Sequence, residues 1–369
     1  MKKSKEKKRL GKYILKITAI VLAILIILPV VAIYSVRGVN AIRFNISDGV
    51  QERTFVTLGG IEQAIHIRGQ SSENPVIIWL HGGPGLPDTF VLSAFQYQME
   101  HDFTFVRWDQ RGGGRTHFRN PDAPISFDIL LSDLDELVNY VTERFNQPVY
   151  IVGHSWGSLL GITYASRNPE KIDGFVGVGQ VISNWSEYRT IATNTAIERA
   201  LAAGNTNDAE QLRLAYEILS VSTRGDEDYP IGVYMVWEAL TFRYLDFTGE
   251  GTRFTLDSVF SPWWNFTEMR KLVSLMTDTD FNTFYERNRP LMMEVGRFVP
   301  PEQLEIPIAF IMGSEDFVTA TPLVVDYYNG VEAPQKNIFI LEGAGHSPMA
   351  SQPDLFAEML SEALREFSR

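Results

Sequence analysis

The sequence predicts an α/β fold with a mostly parallel sheet and helices on both of its faces. Three observations predict it. Short apolar, β-branched runs recur along the chain, segments with helical spacing of apolar residues separate them, and two of the runs end in glycine-rich loops. Alternating strands and helices favour parallel pairing. The 369 residues, 45% of them hydrophobic, suffice for one large domain or two ordinary ones.

The predicted core elements begin after residue 50. Two alternating runs around Gly59-Gly60 predict an antiparallel hairpin, and residues 38–50 are interpreted as a linker or a first strand. The predicted strands are 54–58, 61–67, 76–80, 103–108, 148–152, 174–178, 306–312 and 337–341. The predicted core helices are 133–141, 158–165 and 353–367.

Residues 181–300 interrupt this alternation. They predict several helices rich in aromatic residues, at 185–203, 208–219, 229–245 and beyond Pro262. We interpret them as a helical cap inserted between two core strands, where it would close a pocket and select the substrate. A helical packing layer without a substrate role is the alternative.

The N-terminus combines a basic tail with a long apolar segment. Residues 1–12 hold seven basic residues and one acidic residue, and residues 13–36 are long enough to cross a bilayer. The basic tail predicts a cytoplasmic N-terminus and an extracytoplasmic body, as in a bacterial single-pass membrane protein. A cleaved signal peptide is the alternative, although the apolar segment is longer than usual and lacks a convincing cleavage site. The predicted organisation is therefore a tail at 1–12, an anchor at 13–36, a core at 37–180, a cap at 181–300 and the rest of the core at 301–369.

Charge and cysteine content exclude several classes of function. The net charge is −12, and the body after residue 12 holds 26 basic and 44 acidic residues, a balance of −18. So acidic a body repels nucleic acid, and we expect no nucleic-acid partner. The chain has no cysteine, which excludes thiol catalysis, cysteine metal sites and disulfides. We expect no cofactor and no metal.

The sequence Gly153-His154-Ser155-Trp156-Gly157 matches G-x-S-x-G between a predicted strand and a predicted helix. In that context the serine occupies a strained turn that exposes its hydroxyl above the sheet, and small neighbours let strand and helix pass closely. Ser155 is therefore the predicted nucleophile. A serine in an ordinary strand-to-helix turn is the alternative.

A serine nucleophile requires a base and an acid that orients the base. Among six histidines only His346 lies in a loop after the last predicted strand, and we predict that it is the base. The acid is predicted in the loop after the preceding strand, where Asp316 is preferred over Glu315. A helix N-cap is the alternative role for Asp316.

An oxyanion hole requires two N–H donors. The residue after the nucleophile, Trp156, is expected to supply one through its backbone. The glycine-rich loop 81–85 follows an early strand, and Gly83 is the predicted second donor, with Gly82 as the fallback.

Together these motifs resemble the proline iminopeptidase family of α/β-hydrolase serine peptidases. The resemblance is carried by His-Gly-Gly-Pro-Gly at 81–85, Asp-Gln-Arg-Gly at 109–112, the Ser-Trp elbow, Gly-x-x-Asp at 313–316 and Gly-His-Ser at 345–347. It covers residues of about 50–180 and 305–369. It implies an α/β-hydrolase fold, metal-free release of N-terminal residues from short peptides, and a mainly structural role for Asp109 to Gly112.

The same resemblance implies acidic cap residues that hold the free α-amino group of the substrate. The stretch 234–238, with Trp237-Glu238, is similar to the family's Trp-Glu stretch, so Glu238 is the candidate; a helix-surface glutamate is the alternative. Glu268, Glu286 and Glu294 are candidates for a second acid. His154 stands where the family usually has glycine, and Gly-His-Ser-x-Gly is common in esterases and lipases of the same fold.

Three hypotheses follow. The first is a membrane-tethered serine aminopeptidase, and the second is an esterase or lipase that uses the same residues. The third is a low-turnover signalling hydrolase. A haloalkane or epoxide hydrolase is disfavoured, because those enzymes have aspartate at the elbow. The expected partners are a small-molecule or short-peptide substrate and a membrane.

Overall fold

The protein is described from a computed structural model that covers residues 2–88, 94–182, 185–222, 228–245, 250–276 and 278–368. Within these ranges eight strands form one sheet in the order β1-β2-β4-β3-β5-β6-β7-β8. The β1–β2 and β2–β4 pairs are antiparallel and the other pairs are parallel. The strands are β1 Val50–Leu58, β2 Ile61–Gly69, β3 Val76–Leu80, β4 Thr104–Trp108, β5 Val149–His154, β6 Gly174–Val178, β7 Ile308–Gly313 and β8 Lys336–Leu341.

Fourteen helices are described. The helices before β6 are α1 Lys2–Arg43, α2 Ala94–Met99, α3 Gly114–Arg119, α4 Phe127–Phe145 and α5 Trp156–Arg167. Between β6 and β7 lie α6 Trp185–Ala202, α7 Thr206–Ser220, α8 Ile231–Tyr244, α9 Glu250–Phe260, α10 Phe266–Met276 and α11 Asp278–Arg297, which we call the inserted helices. The helices after β7 are α12 Thr321–Gly330, α13 Pro348–Ser351 and α14 Pro353–Phe367.

The sheet is covered on both faces because side chains of successive strand residues point to opposite sides. Ile78 packs into an apolar cluster with α4 and α5, whereas its neighbours Ile77 and Trp79 pack into a second cluster with α2 and α14. All five residues of β3 are buried, as expected for a central strand with helices on either side. The predicted α/β class with a mostly parallel sheet is confirmed.

The main elements match the sequence predictions, but one stretch was interpreted wrongly and the helices α2, α3, α9 and α13 were not predicted. The hairpin around Gly59-Gly60, all eight strands and the three core helices are present within a few residues of their predicted bounds. The interpretation of residues 38–50 was wrong over its first part, because α1 continues to Arg43 and β1 begins only at Val50. Helix α9 was not predicted. It contains Gly251 and the β-branched Thr252, Thr255 and Val259, which weaken a helical signal.

Helix α1 is long and apolar enough to cross a membrane. Within 12–43 its most apolar window has a mean hydropathy of 2.9 and is entirely exposed, properties that a signal sequence shares. The C-terminal end of α1 contacts the inserted helices. Asn40 Nδ2 donates to the carbonyl of Phe260 at 3.0 Å, and the Arg37 guanidinium lies 4.3 Å from the ring centre of Trp264.

Candidate active site

Ser155 occupies a strained turn between β5 and α5. Its backbone angles are φ 53° and ψ −121°, a conformation that L-residues rarely adopt. The two glycines of the motif permit this turn. A Cβ on Gly153 would lie 2.3 Å from the carbonyl oxygen of Gly157, and one on Gly157 would lie 2.2 Å from that of Leu80. The surrounding backbone therefore leaves no space for larger residues, as the motif predicts.

His346 and Asp316 meet at the carboxyl ends of the last two strands. His346 follows β8, Asp316 follows β7, and His346 Nδ1 lies 3.0 Å from Asp316 Oδ2. The Asp316 side chain is fully buried and also accepts hydrogen bonds from the backbone N–H and the hydroxyl of Thr319, at 3.0 and 2.7 Å. Glu315 is half exposed and pairs with Arg199 instead. The structure therefore brings Asp316, and not Glu315, to the imidazole.

The electrostatics of this pair favour an imidazole that is protonated at Nδ1. Burial disfavours the charged imidazolium, but the charge and the hydrogen bond of Asp316 outweigh burial and raise the pKa of His346 above its usual value. Burial likewise opposes ionisation of Asp316, but the His346 charge and the donors around the carboxylate hold its pKa below the usual range. With Nδ1–H donated to Asp316, the other nitrogen, Nε2, is left to accept a proton.

Ser155 and His346 line the same cavity, which we call the histidine-side cavity. Its volume is about 300 Å³, and its apolar lining includes Trp79, Leu86, Phe95 and Met349. In the part of the chain that the structure describes, the imidazole of His346 bonds to Asp316 and Thr319 and makes no hydrogen bond to Ser155 Oγ. Ser155 and His346 therefore border the same cavity, and the described contacts do not include a hydrogen bond between them.

Both residues that the sequence predicts as oxyanion donors, Trp156 and Gly83, lie close to Ser155. Trp156 begins α5, so its N–H has no partner inside that helix. Gly83 lines the cavity beside Ser155 and has φ 127°, a conformation that favours glycine. Gly82 approaches the elbow most closely, since a Cβ on it would lie 3.2 Å from Ser155 Cβ. The glycines therefore let this loop pass close to Ser155.

Residues 109–112 hold the glycine loop and the elbow together. Gln110 Nε2 donates to the carbonyl of His81 at 3.2 Å, and Gln110 Oε1 accepts from the indole N–H of Trp156 at 3.0 Å. Beside them, Arg111 forms a buried two-pronged ion pair with Asp133, at 2.7 and 2.9 Å. These contacts agree with the structural role that the resemblance implies for Asp109 to Gly112.

Glu238 lies on α8 and lines a second cavity of about 220 Å³, which we call the glutamate-side cavity. Ser155 and Gly83 line this cavity too, so it adjoins the histidine-side cavity. The hydroxyl of Tyr234 donates to Glu238 Oε1 at 2.5 Å, and Trp237 forms another part of the wall. A carboxylate thus lies in an aromatic pocket that Ser155 also lines.

The three candidates for a second acid lie elsewhere. Glu268 faces Arg53 and Arg115 at 3.5 Å each, and Glu286 pairs with Arg289 one turn along α11. The described residues that line the two cavities do not include Glu268, Glu286 or Glu294. The structure therefore does not bring Glu268, Glu286 or Glu294 to Ser155.

Sequence reasoning missed two carboxylates of the inserted helices and one role of a histidine. Asp257 on α9 lines the histidine-side cavity, and Glu250 on the same helix accepts hydrogen bonds from the loop of His346. His154 Nε2 lies 3.0 Å from the carbonyl oxygen of His346, and burial, followed by the nearby His346 charge, lowers the pKa of His154 to about 4. A neutral His154 donates to that carbonyl. Both carboxylates lie on α9, so only a prediction of that helix from the sequence could have pointed to them.

Comparisons with known proteins agree with this architecture. The sequence profile of the alpha/beta hydrolase fold matches residues 75–203. A Bacillus subtilis protein named "Probable aminopeptidase YbaC" is 24% identical over 312 residues, which cover 84% of this chain and 95% of that protein. Proline iminopeptidase of Lactobacillus helveticus is 28% identical over 167 residues, which cover 42% of this chain and 55% of the enzyme.

The fold also resembles that of a bacterial membrane phospholipase A described as a virulence factor. The two structures superpose with a TM-score of 0.56 at 17% identity, over 98% of this chain and 99% of the phospholipase. An identity this low shows a shared fold and carries no conclusion about activity or substrate. Together with the topology of the sheet, these comparisons show that the chain has the α/β-hydrolase fold and is similar to proteins named aminopeptidase and proline iminopeptidase.

Proposed function

We propose that the chain is a membrane-anchored serine aminopeptidase of the proline iminopeptidase type, which releases N-terminal residues from short peptides. The observation that carries the chemistry is the bond of 3.0 Å between His346 and Asp316 on the wall of a cavity that also contains Ser155. The observation that favours a peptidase is the Glu238 carboxylate in the adjoining cavity. The similarity to a named aminopeptidase and to a proline iminopeptidase supports the same substrate class.

The proposed reaction uses a covalent acyl-enzyme. Ser155 Oγ attacks the carbonyl carbon of the scissile bond, and its proton passes to His346 Nε2. Asp316 holds the imidazole by Nδ1–H and stabilises the imidazolium that forms. The imidazolium then protonates the leaving amine, and a water molecule, deprotonated by the same nitrogen, hydrolyses the ester on Ser155.

The tetrahedral intermediate carries a negative oxygen that requires hydrogen-bond donors. We assign this role to the backbone N–H groups of Gly83 and Trp156. The position of Trp156 at the first turn of α5 adds the positive end of the helix dipole. Gly83 borders both cavities, which suits a donor at the point where the scissile carbonyl would lie.

Substrate selection is assigned to Glu238. A carboxylate in a partly enclosed aromatic pocket pairs with the free α-ammonium of a peptide, and the distance from that pair to Ser155 limits cleavage to the N-terminal residue. Tyr234 donates to one carboxylate oxygen and leaves Oε2 as the acceptor for the ammonium. An N-acetylated peptide lacks the ammonium and is expected to be a poor substrate.

The anchor is assigned to α1, with the basic tail in the cytoplasm and the catalytic body outside. The end of α1 is attached to the body, since Arg37 lies over the ring of Trp264, between α9 and α10, and Asn40 donates to the carbonyl of Phe260. Alkaline carbonate extraction of cell membranes tests the assignment: the protein should stay in the membrane fraction at its full length of 369 residues.

An esterase or lipase that uses the same triad is the second candidate. The apolar lining of the histidine-side cavity, with Trp79, Phe95 and Met349, favours it because an acyl chain would be buried there. The similarity in fold to a membrane phospholipase A fits the same candidate.

One experiment separates the candidates. Detergent-solubilised full-length protein is assayed on proline arylamide, on its N-acetylated counterpart, on p-nitrophenyl butyrate and on a short-chain phospholipid. The aminopeptidase assignment predicts a strong preference for the free-amine arylamide. A preference for the phospholipid or the ester would replace it with the second candidate. In either case the S155A variant should lose all turnover while it keeps the melting temperature of the wild type.

A further inference from the structure

Glu250 is a buried carboxylate of the inserted helices that contacts the loop of His346. Only 6% of the residue is exposed. Its Oε1 accepts from the backbone N–H of Gly345 at 2.8 Å, and its Oε2 accepts from that of Ser347 at 3.0 Å. The hydroxyl of Ser351 donates to Oε1 at 3.1 Å. One carboxylate therefore holds the two peptide N–H groups on either side of His346.

This arrangement requires a carboxylate, which offers two acceptor oxygens and no donor. A replacement side chain that carries a hydrogen-bond donor would place this donor against one of the two backbone N–H groups. That buried N–H group would then have no acceptor. On the opposite side, the His346 carbonyl accepts from His154 Nε2 at 3.0 Å. The main chain of His346 is thus fixed by Glu250 and by His154, and its side chain is fixed by Asp316.

We propose that Glu250 is a positioning residue, which sets the direction of the His346 imidazole from the inserted helices. The role rests on the proposed function of His346 as the base. This role explains how the imidazole is held at the cavity, although the loop 342–347 follows β8, which is an edge strand and has a neighbouring strand on one side only. The catalytic activity then depends on how α9 packs against the core.

Helix α9 is well placed to make this link because both of its ends are held. Its N-terminal end bonds to the His346 loop through Glu250, and the helix packs against α13. The carbonyl of Phe260 at its C-terminal end accepts from Asn40 of α1. The helix thus spans from the His346 loop to the C-terminal end of α1.

The test compares E250Q with E250D and with the control E268Q in the full-length protein. Glu268 is a matched control, because it also accepts a backbone N–H, that of Asn265 at 3.0 Å, but its described partners are Arg53 and Arg115 and not the loop of His346. The measured quantity is the second-order rate constant for covalent labelling of Ser155 by a fluorophosphonate, determined from pH 5 to pH 9. Labelling requires the serine and its base but no particular substrate.

We expect E250Q to label about 10- to 100-fold more slowly than the wild type, as a misplaced catalytic group does. The acidic limb of its pH profile should move to lower pH, because the carboxylates of Asp316 and Glu250 stabilise the imidazolium of His346 and E250Q removes one of these charges. Asp88 and Asp257, which line the same cavity, are unchanged in this variant, and His154 is neutral. E250D keeps the charge but retracts it by about 1.5 Å, the length of one carbon–carbon bond, so it should label slowly with an unshifted limb. E268Q should label like the wild type.

A folded E250Q that labels at the wild-type rate with an unshifted limb would overturn the positioning role. If E250Q does not fold, E250D decides by its labelling rate, and a wild-type rate there overturns the role as well. Wild-type protein that does not react at all would instead overturn the proposed serine chemistry.

Discussion

The substitution E238Q tests how the enzyme selects its substrate. Glutamine keeps the shape of the side chain, and its carbonyl oxygen can still accept from Tyr234, which lies 2.5 Å from Oε1 in the wild type. The only large change is the loss of the negative charge that would face a substrate ammonium. A hydrogen bond to a charged group contributes about 1.5–3 kcal/mol, and each 1.4 kcal/mol is a factor of ten. We therefore expect kcat/KM for free-amine substrates to fall about 10- to 150-fold, mainly through KM.

The assay compares proline arylamide with p-nitrophenyl butyrate on the same enzyme preparation. The ester has no ammonium, so its kcat/KM should stay within about twofold of the wild type. E217Q serves as the control, since Glu217 is an exposed glutamate on the neighbouring helix α7. Equal losses on both substrates would refute the amine-binding role, and so would an unchanged rate on the arylamide.

Three further predictions concern the triad and the core. His346 must be neutral to accept a proton, and its pKa is raised, so kcat/KM should rise with pH through an acidic limb above pH 6.5. D316N should move this limb to lower pH and reduce kcat about 10⁴-fold. R111M should leave Asp133 buried without its partner and lower the unfolding free energy by about 3–5 kcal/mol in urea titrations, and an unchanged midpoint would contradict this. G157A should yield no folded protein on size-exclusion chromatography, since its Cβ would lie 2.2 Å from a backbone oxygen.

Most of the fold follows from local signals in the sequence. The central strands are short, β-branched and bounded by glycine or polar residues, so their pattern differs sharply from that of the amphipathic helices α4 and α14. The elbow is equally local. Gly153 is required by the close approach of β5 to α5, and Gly157 by the close approach of α5 to the end of β3 at Leu80.

The contacts between distant segments could not be predicted in the same way. Glu250 and His346 are 96 positions apart, and no local pattern relates a glutamate beside Gly251 to the loop after the last strand. The choice of Glu268, Glu286 and Glu294 failed for the same reason, because composition shows which acids exist but not which of them face the nucleophile. The position of Glu238 could be anticipated only through a family resemblance.

The most direct test of the central claim identifies the reactive residue. Full-length protein is labelled with a fluorophosphonate at pH 8, and the adduct is located by tandem mass spectrometry in the wild type and in H346A. The account predicts a single adduct on Ser155 in the wild type and labelling at least about 100-fold slower in H346A. An adduct on another residue, or undiminished labelling of Ser155 in H346A, would contradict it.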